Sequence, residues 1–333
     1  MARATPKATI TDVAKLSGAS LSTVSRVMNG NPKVDPELAA RVRAAAAQLD
    51  YTASPLARSL VLGRTQTIAV VVPDLANPTF QTILRGLSRA AAADGYHVLI
   101  ADSAEQVTEE RSLAVEARRR TDGLVLCAPR LPDAELVDLL AEVRPVVLVN
   151  RTGDASVPTV AADYSTPLYG LVQHLHDLGH RRIVYLAGVA RSASNAARLS
   201  ALAAFRADHP GTEVIELPSG VDFDSGAAAV DAVLATGATA VLAFNDLVAM
   251  GLLSAVTARG VRVPDQLSIA GFDDIPFARY TSPPLTTATV PAVALGELAW
   301  RALHAALTED DAPGSVRLEP QVVVRGSTGP ARA

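Results

Sequence analysis

From Thr67 onward, short apolar runs alternate with amphipathic stretches, and that alternation leaves the chain few architectures to choose from. Residues 67–72, 97–101, 123–128, 145–149, 182–187, 213–217, 239–244 and 267–272 read as strands. Between the first two, Phe80, Ile83, Leu84, Leu87, Ala90 and Ala91 recur at helical spacing over 80–93. Uninterrupted apolar strands separated by helices imply parallel sheets covered on both faces. There are too many such units for one small sheet. The expectation is an α/β core of two doubly wound parallel-sheet subdomains with a cleft between them, and a ligand beyond the carboxyl ends of the strands.

The first part of the chain follows another period. TITDVAKLSGASLSTVSRVMN, residues 9–29, reads as two short helices joined at Gly18. Val13, Ala14 and Leu16 give the first helix an apolar side, and Ser20 is placed to cap the second. Val24 and Val27 face back onto the first helix, leaving Leu21, Ser22, Thr23, Ser25 and Arg26 outward. Such a short, polar outward set suits a helix that enters the DNA major groove better than one inside a core. A third helix is capped by Asp35, opens on Pro36 and carries Leu38, Val42, Ala45, Ala46 and Leu49 as its stripe, ending the unit near Tyr51. Beyond it, Ser54, Pro55 and Gly63 bracket a helix too short to be stable without something packed against it.

Charge divides the same way. Residues 1–64 hold nine Lys/Arg and four Asp/Glu, a balance of +5, and the remainder is −9, although the whole chain is only −4. A basic head on an acidic body points to a polyanionic partner for the head alone. The one cysteine, Cys127, lies in the apolar run GLVLCA and is expected to be a buried thiol. No apolar stretch has transmembrane length and no signal-peptide core is visible, so the expected location is cytoplasmic, with no membrane partner. The motifs G-x-S-x-G, G-x-x-x-x-G-K and a strand-linked G-x-G-x-x-G do not occur, which leaves an enzyme without a catalytic set. His174, His176 and His180 in HLHDLGH do not share one helix face, so no metal is expected there, and no cofactor is expected elsewhere.

With TITDVAKLSGASLSTVSRVMNG, PLARSL, TIAVVVPDLANPTF, HLHDLGHRRIVYLAG, AFNDLVAMG, VPDQLSIAGFDD and PPLTT in this order, the chain resembles the LacI/GalR family of bacterial transcription regulators from about residue 8 to 327. The resemblance implies an all-α helix-turn-helix head (1–53), a hinge helix and linker (54–64) and a periplasmic-binding-protein-like core (65–333) that binds effector and dimerises. Within the core it implies an N-subdomain of about 65–162 and 290–319 and a C-subdomain of about 163–288 and 320–330, with chain crossings near 162, 289 and 320 as the hinge. It assigns base contacts to Leu21, Ser22 and Arg26 and phosphate contacts to Thr9, Ser20, Thr23 and Asn29. Arg26 can pair bidentately with a guanine, worth roughly 1–3 kcal/mol of discrimination. Lys33 is either a further phosphate contact or a solvated lysine. Ala57 and Leu60 match the minor-groove hinge, where paired helices wedge a leucine between base steps at a central CG. Ser54 and Val61 depart from the common versions, which weakens the phosphate contacts there.

For the effector, the resemblance implies Phe80, Asn150, Ser194, Arg198, Asn245 and Asp273, with a sugar or sugar phosphate as the ligand. Asn77 is placed either to touch the ligand or to cap the helix after it, and Arg198 and Asp273 could instead form a structural ion pair. Ala201 and Val221 replace a common glycine and a ligand-stacking aromatic. The implied partners are a pseudo-palindromic double-stranded operator, a small-molecule effector and a second copy of the chain. Effector binding would close the cleft, unpair the hinge helices and withdraw Leu60 from the groove. After a last expected strand at 321–325, the tail GSTGPARA is too short and polar for a heptad helix, so a tetramer built on one is not expected. A solute-binding protein is the rival reading for the core, and the basic head argues against it.

Overall fold

A left-handed glycine makes the first turn. Gly18 ends α1 (Ile10–Ser17) at φ 66° and directs the chain into α2 (Leu21–Met28), where a residue with a side chain would be strained by about 1–2 kcal/mol. The computed structural model describes residues 8–28, 33–52, 63–152, 157–309 and 314–332. They fall into two units, Met1–Gln66 and Thr67–Ala333. In the first, the Asp12 carboxylate accepts from the Thr9 N–H at 2.9 Å and from its hydroxyl at 2.7 Å, tying the start of α1. Those two donors hold Asp12 below the usual carboxylate range. Ser20 Oγ accepts from the Thr23 N–H at 3.1 Å, and Asp35 accepts from the Leu38 N–H at 2.9 Å to start α3 (Pro36–Gln48). Val13, Val24, Val27, Ala39, Val42, Ala45 and Ala46 close the core of this unit. One expectation fails: Leu16 is 47% exposed. Ser17, one i+4 step from Val13, takes the inward place and donates its hydroxyl to the Val13 carbonyl at 2.7 Å.

The second unit begins with β1 (Thr67–Val72), α4 (Pro78–Ala93), β2 (His97–Asp102), α5 (Val107–Arg118), β3 (Gly123–Cys127), α6 (Asp133–Glu142), β4 (Val146–Val149) and β5 (Thr159–Ala162). It continues through α7 (Ser165–Asp177), β6 (Arg182–Ala187), α8 (Ala193–Asp208), β7 (Glu213–Pro218), α9 (Phe223–Ala228), α10 (Val230–Ala235), β8 (Ala240–Ala243), α11 (Asp246–Ala258) and β9 (Ser268–Ala270). It finishes with β10 (Thr287–Ala288), α12 (Ala292–Thr308), β11 (Val316–Leu318) and β12 (Val322–Val323).

These strands form a six-stranded sheet in the order β11-β5-β4-β3-β1-β2 and a four-stranded sheet in the order β7-β6-β8-β9, both parallel. β3, β4 and β8 are buried at every position, as strands covered on both faces must be. β10 and β12 pair antiparallel and carry the chain between the sheets. Against the expected strands, β5, β10 and β11 are additional. At four, two and three residues they are too short to show a period in sequence.

Helix α12 lies directly on α4. A Cβ at Gly86 would fall 2.3 Å from the Val293 carbonyl oxygen, and one at Gly296 would fall 2.1 Å from that of Ile83. Reciprocal glycines thus let two backbones touch. The tail is no helix but an edge. Ser327 Oγ donates to the Ile269 carbonyl at 2.6 Å and accepts from the Thr286 N–H at 2.8 Å. The buried His180 ring stands 3.0 Å from the Gly329 carbonyl oxygen, so the tail is fastened along β9.

Candidate functional site

The strands of both sheets up to β9 end at one small chamber of about 40 Å³. From the first sheet, Phe80 follows β1, Glu105 follows β2, Arg130 follows β3, Asn150 follows β4 and Tyr164 follows β5. From the second, Ser194 and Arg198 follow β6, Val221 follows β7, Phe244 follows β8 and Asp273 follows β9. A water needs roughly 10–15 Å³ of such space, so the chamber holds a few waters and must widen to admit a sugar ring.

Arg198 carries the chemistry of the chamber. It is 1% exposed, and its guanidinium carbon lies 4.1 Å from the Phe272 ring centroid, 4.5 Å from that of Phe244 and 4.6 Å from that of Tyr164. Its Nη2 is 3.9 Å from Asp273 Oδ1, an ion pair too long for a hydrogen bond. Nε and Nη1 are buried with no hydrogen-bond partner. A desolvated cation with unpaired donors is costly unless something supplies acceptors.

Asp273 stands opposite at a strained φ of 114°. Its carboxylate accepts from the Thr79 hydroxyl at 2.9 Å, its N–H donates to the Ala288 carbonyl at 2.8 Å, and its carbonyl accepts from the Val290 N–H at 3.1 Å. Burial pushes its carboxyl up to about 6, against the pull of Arg198 and of the Thr79 bond. Beneath it, the fully buried Asp246 accepts from the Thr287 hydroxyl at 2.6 Å and the Ile275 N–H at 2.8 Å. Burial, and then the Asp273 charge, hold Asp246 well above the usual carboxylate range.

The first-sheet wall is built differently. Glu105 grips Arg130 with two bonds, 3.0 Å to Nε and 2.9 Å to Nη2. Arg130 Nη1 donates to the Ala128 carbonyl at 3.1 Å. The Glu110 carboxylate accepts from the N–H groups of Arg130 and Leu131 at 2.9 Å, while burial pushes its carboxyl up. Ala104, Glu105, Ala128, Asn150, Asp273 and Asp274 all have positive φ, so backbone strain gathers at the strand ends that form this site.

The structure brings Phe80, Asn150, Ser194, Arg198 and Asp273 together around the chamber. Asn245 is not among the lining residues. Its Oδ1 accepts from the Val248 N–H at 2.9 Å as the cap of α11, and its Nδ2 donates to the Val221 carbonyl at 2.8 Å. Asn77 caps α4 through the Thr79 N–H at 2.9 Å and also lines the chamber. Sequence reasoning missed Thr79, Glu105, Arg130, Tyr164 and Phe244, although the strand-end rule alone could have nominated them.

Other groups are engaged elsewhere. The Cys127 thiol is buried and pushed up to about 12. His174, His176 and His180 bond separately to Thr328, Thr212 and Thr239. Among the described residues no cluster of three or more His, Cys, Asp or Glu could hold a metal, and no helix is long and apolar enough to cross a membrane.

In the head, Leu21, Ser22 and Arg26 are exposed on α2 while Val24 and Val27 are buried beneath them. Thr9 and Ser20 are exposed and Thr23 is half-buried. The Ser20 hydroxyl is 2.9 Å from those of both Ser22 and Thr23, so the start of α2 presents a connected row of hydroxyls. Asn29, Ala57 and Leu60, with the rest of the expected hinge helix, lie outside the described residues.

Comparison with known proteins agrees with this layout. Residues 9–54 match the model described as bacterial regulatory proteins, lacI family, and 172–328 match the periplasmic binding protein-like domain. Over 328 residues, 96% of each chain, the sequence is 32% identical to the HTH-type transcriptional repressor CytR of Escherichia coli (strain K12). The lac repressor dimer bound to operator and the anti-inducer ONPF superposes with a TM-score of 0.87 at 26% identity, covering 97% of this chain and 99% of that one. A LacI family regulator from Enterococcus faecium with bound ribose gives 0.71 at 26% identity, covering 80% of this chain and all of that one (100%). The chain belongs to the LacI family of bacterial regulatory proteins.

Proposed function

We propose that this chain is a DNA-binding transcriptional repressor that acts as a homodimer on a two-fold symmetric operator and answers to a small polar effector, a sugar or a molecule built on one. The observation that carries the effector reading is Arg198, a buried cation with two unpartnered nitrogens beside a carboxylate it does not reach. Vicinal hydroxyls fill that gap: they donate to Asp273 and accept from Arg198. The core is read as two lobes, about 65–162 with 290–319 and 163–288 with 320–330, and the aperture between them as the moving part. Because the chamber is too small for a sugar ring as it stands, binding must change the lobe spacing, and a ligand with unequal affinity for the two spacings shifts their populations.

For the head, the exposed polar face of α2 supports Leu21, Ser22 and Arg26 as base readers, with Thr9, Ser20, Thr23 and Asn29 on phosphates. Ala57 and Leu60 are assigned to the minor groove on the family resemblance. Exposed Leu99 and Ile100 on the edge strand β2, with Phe277 and Tyr280 in the second lobe, support self-association through the core.

Selection of random DNA by the purified protein, with and without pooled sugars, tests the reading. A symmetric site with a central CG step is expected, with enrichment altered by one sugar pool. Arg26→Ala should relax preference at one symmetric pair of positions. Absence of any enriched site under both conditions would sink the proposal.

A further inference from the structure

Asp273 presents its carboxylate from a backbone that a residue with a side chain does not keep unaided. Its φ is 114°, and Asp274 follows at 53°. Two consecutive values of this sign persist only where the surroundings over-determine them. The chamber supplies little of that restraint. Thr79 gives the carboxylate one hydroxyl at 2.9 Å, and Arg198 stays 3.9 Å away. The remaining restraint comes from outside the chamber. On one flank, the fully buried Asp246 holds the Ile275 N–H at 2.8 Å and the Thr287 hydroxyl at 2.6 Å. On the other stands Arg325, just past β12. Its Nη2 donates to Asp274 Oδ1 at 2.5 Å, its Nη1 to the Leu285 carbonyl at 2.8 Å, and its N–H to the Thr286 hydroxyl at 2.9 Å. The two side chains of this pair are only 16% and 15% exposed. A guanidinium fork shared between two segments fixes their spacing as well as neutralising a charge.

We propose that Arg325 is a positioning residue for effector recognition: by bolting Asp274 to the stretch before β10, it keeps Asp273 turned into a chamber that Arg325 itself does not line. This rests on the chamber being the effector site. Four groups face the turn, Thr79 from α4, Arg198 from α8, Asp246 from α11 and Arg325 from the tail. Without Arg325, Asp274 becomes an unpaired, largely desolvated carboxylate beside Asp273 and near Asp246. Like charges then push the turn open, and the strained backbone has nothing on that flank to hold it.

The test follows the Asp273 carboxyl by NMR on the full-length protein made with isotopically labelled aspartate, with Asp273→Asn to identify the signal. In the natural sequence its midpoint is expected at about 6. If Arg325 positions the turn, Arg325→Gln lets the carboxylate out to water and the midpoint falls by about one unit or more. If Arg325 acts only as a charge, its loss leaves Asp273 buried among carboxylates, and the midpoint rises or stays; either result overturns the proposal. Arg325→Lys keeps the charge without the fork. It should lower the midpoint by less, and it keeps the test open if the glutamine variant fails to fold. In parallel, operator binding is measured with and without pooled sugars. Arg325→Gln should bind operator normally but need about tenfold more sugar to respond, the cost of lost preorganisation. An unaltered sugar response in a folded variant overturns the proposal alone. If the natural sequence ignores the sugars, the effector reading fails and takes this proposal with it.

Discussion

Each wall of the cleft offers an arginine and a carboxylate, and the two pairs are opposites. Arg130 is held by both oxygens of Glu105 and by the Ala128 carbonyl. Arg198 is more deeply buried, reaches Asp273 only at 3.9 Å, and leaves two nitrogens unpartnered inside an aromatic box. A closed pair of this kind is architecture, because its members satisfy one another. An open pair is a socket, because the desolvation cost has been incurred and the return awaits a guest. Burial of charge does not distinguish the two cases; the hydrogen-bond inventory does.

That contrast can be broken by experiment. Removing Arg130 should hurt the fold most: Arg130→Met strands Glu105 and lowers stability by about 3 kcal/mol in denaturant titration. Arg198→Met should behave in the opposite sense. Thermal unfolding is expected to be unchanged or raised, while effector affinity drops by about 100-fold or more, a loss of 2–5 kcal/mol typical of truncating one partner of a buried pair. Equal destabilisation by the two variants would refute the contrast.

Next in size is pH. In the proposed site effector hydroxyls would bind the ionised Asp273, so affinity should hold above about pH 6 and fall by up to tenfold per unit below it. The stability contribution of Asp273 runs the other way. Because its carboxyl is raised from 3.8 to about 6 in the folded chain, the stabilisation is full below 3.8 and is lost as pH rises through 6. Asp273→Asn should flatten both profiles. The smallest effect belongs to Thr79→Val, which removes the hydroxyl bond that spans from α4 to Asp273. It should move the pH midpoint of effector binding upward by less than a unit, about 1 kcal/mol.

Much of this was legible in sequence because it was local or periodic. Gly18, Ser20 and Asp35 announced their turns and caps, and eight apolar runs announced their strands, because neighbours along the chain decide those features. Arg198 and Asp273 were found through motif resemblance. What sequence could not show was bonding. Nothing in LCAPRLPDAE marks Arg130 as a partner of Glu105, twenty-five residues earlier in the chain. For Asn245 the sequence offered a ligand contact but not its bonds to Val248 and Val221, which make it the cap of α11. Leu16 was misplaced because one helical step separates the inward and outward faces, and a serine that bonds its own helix can occupy the inward one. β5, β10 and β11 exist because partners distant in sequence meet, which no local window reports.

The backbone of Asp273 has a mechanical consequence. Its N–H and carbonyl are both fastened to the stretch around β10, through Ala288 and Val290, and that stretch runs between the two sheets. A guest that pulls on the carboxylate therefore loads a strut between the lobes and not a free side chain. Work done in moving the lobes is subtracted from the guest's grip, so a stiffer strut makes a weaker sensor and a softer one a tighter sensor. Substitutions at Thr287 or Thr289, which do not line the chamber, should therefore tune its sensitivity.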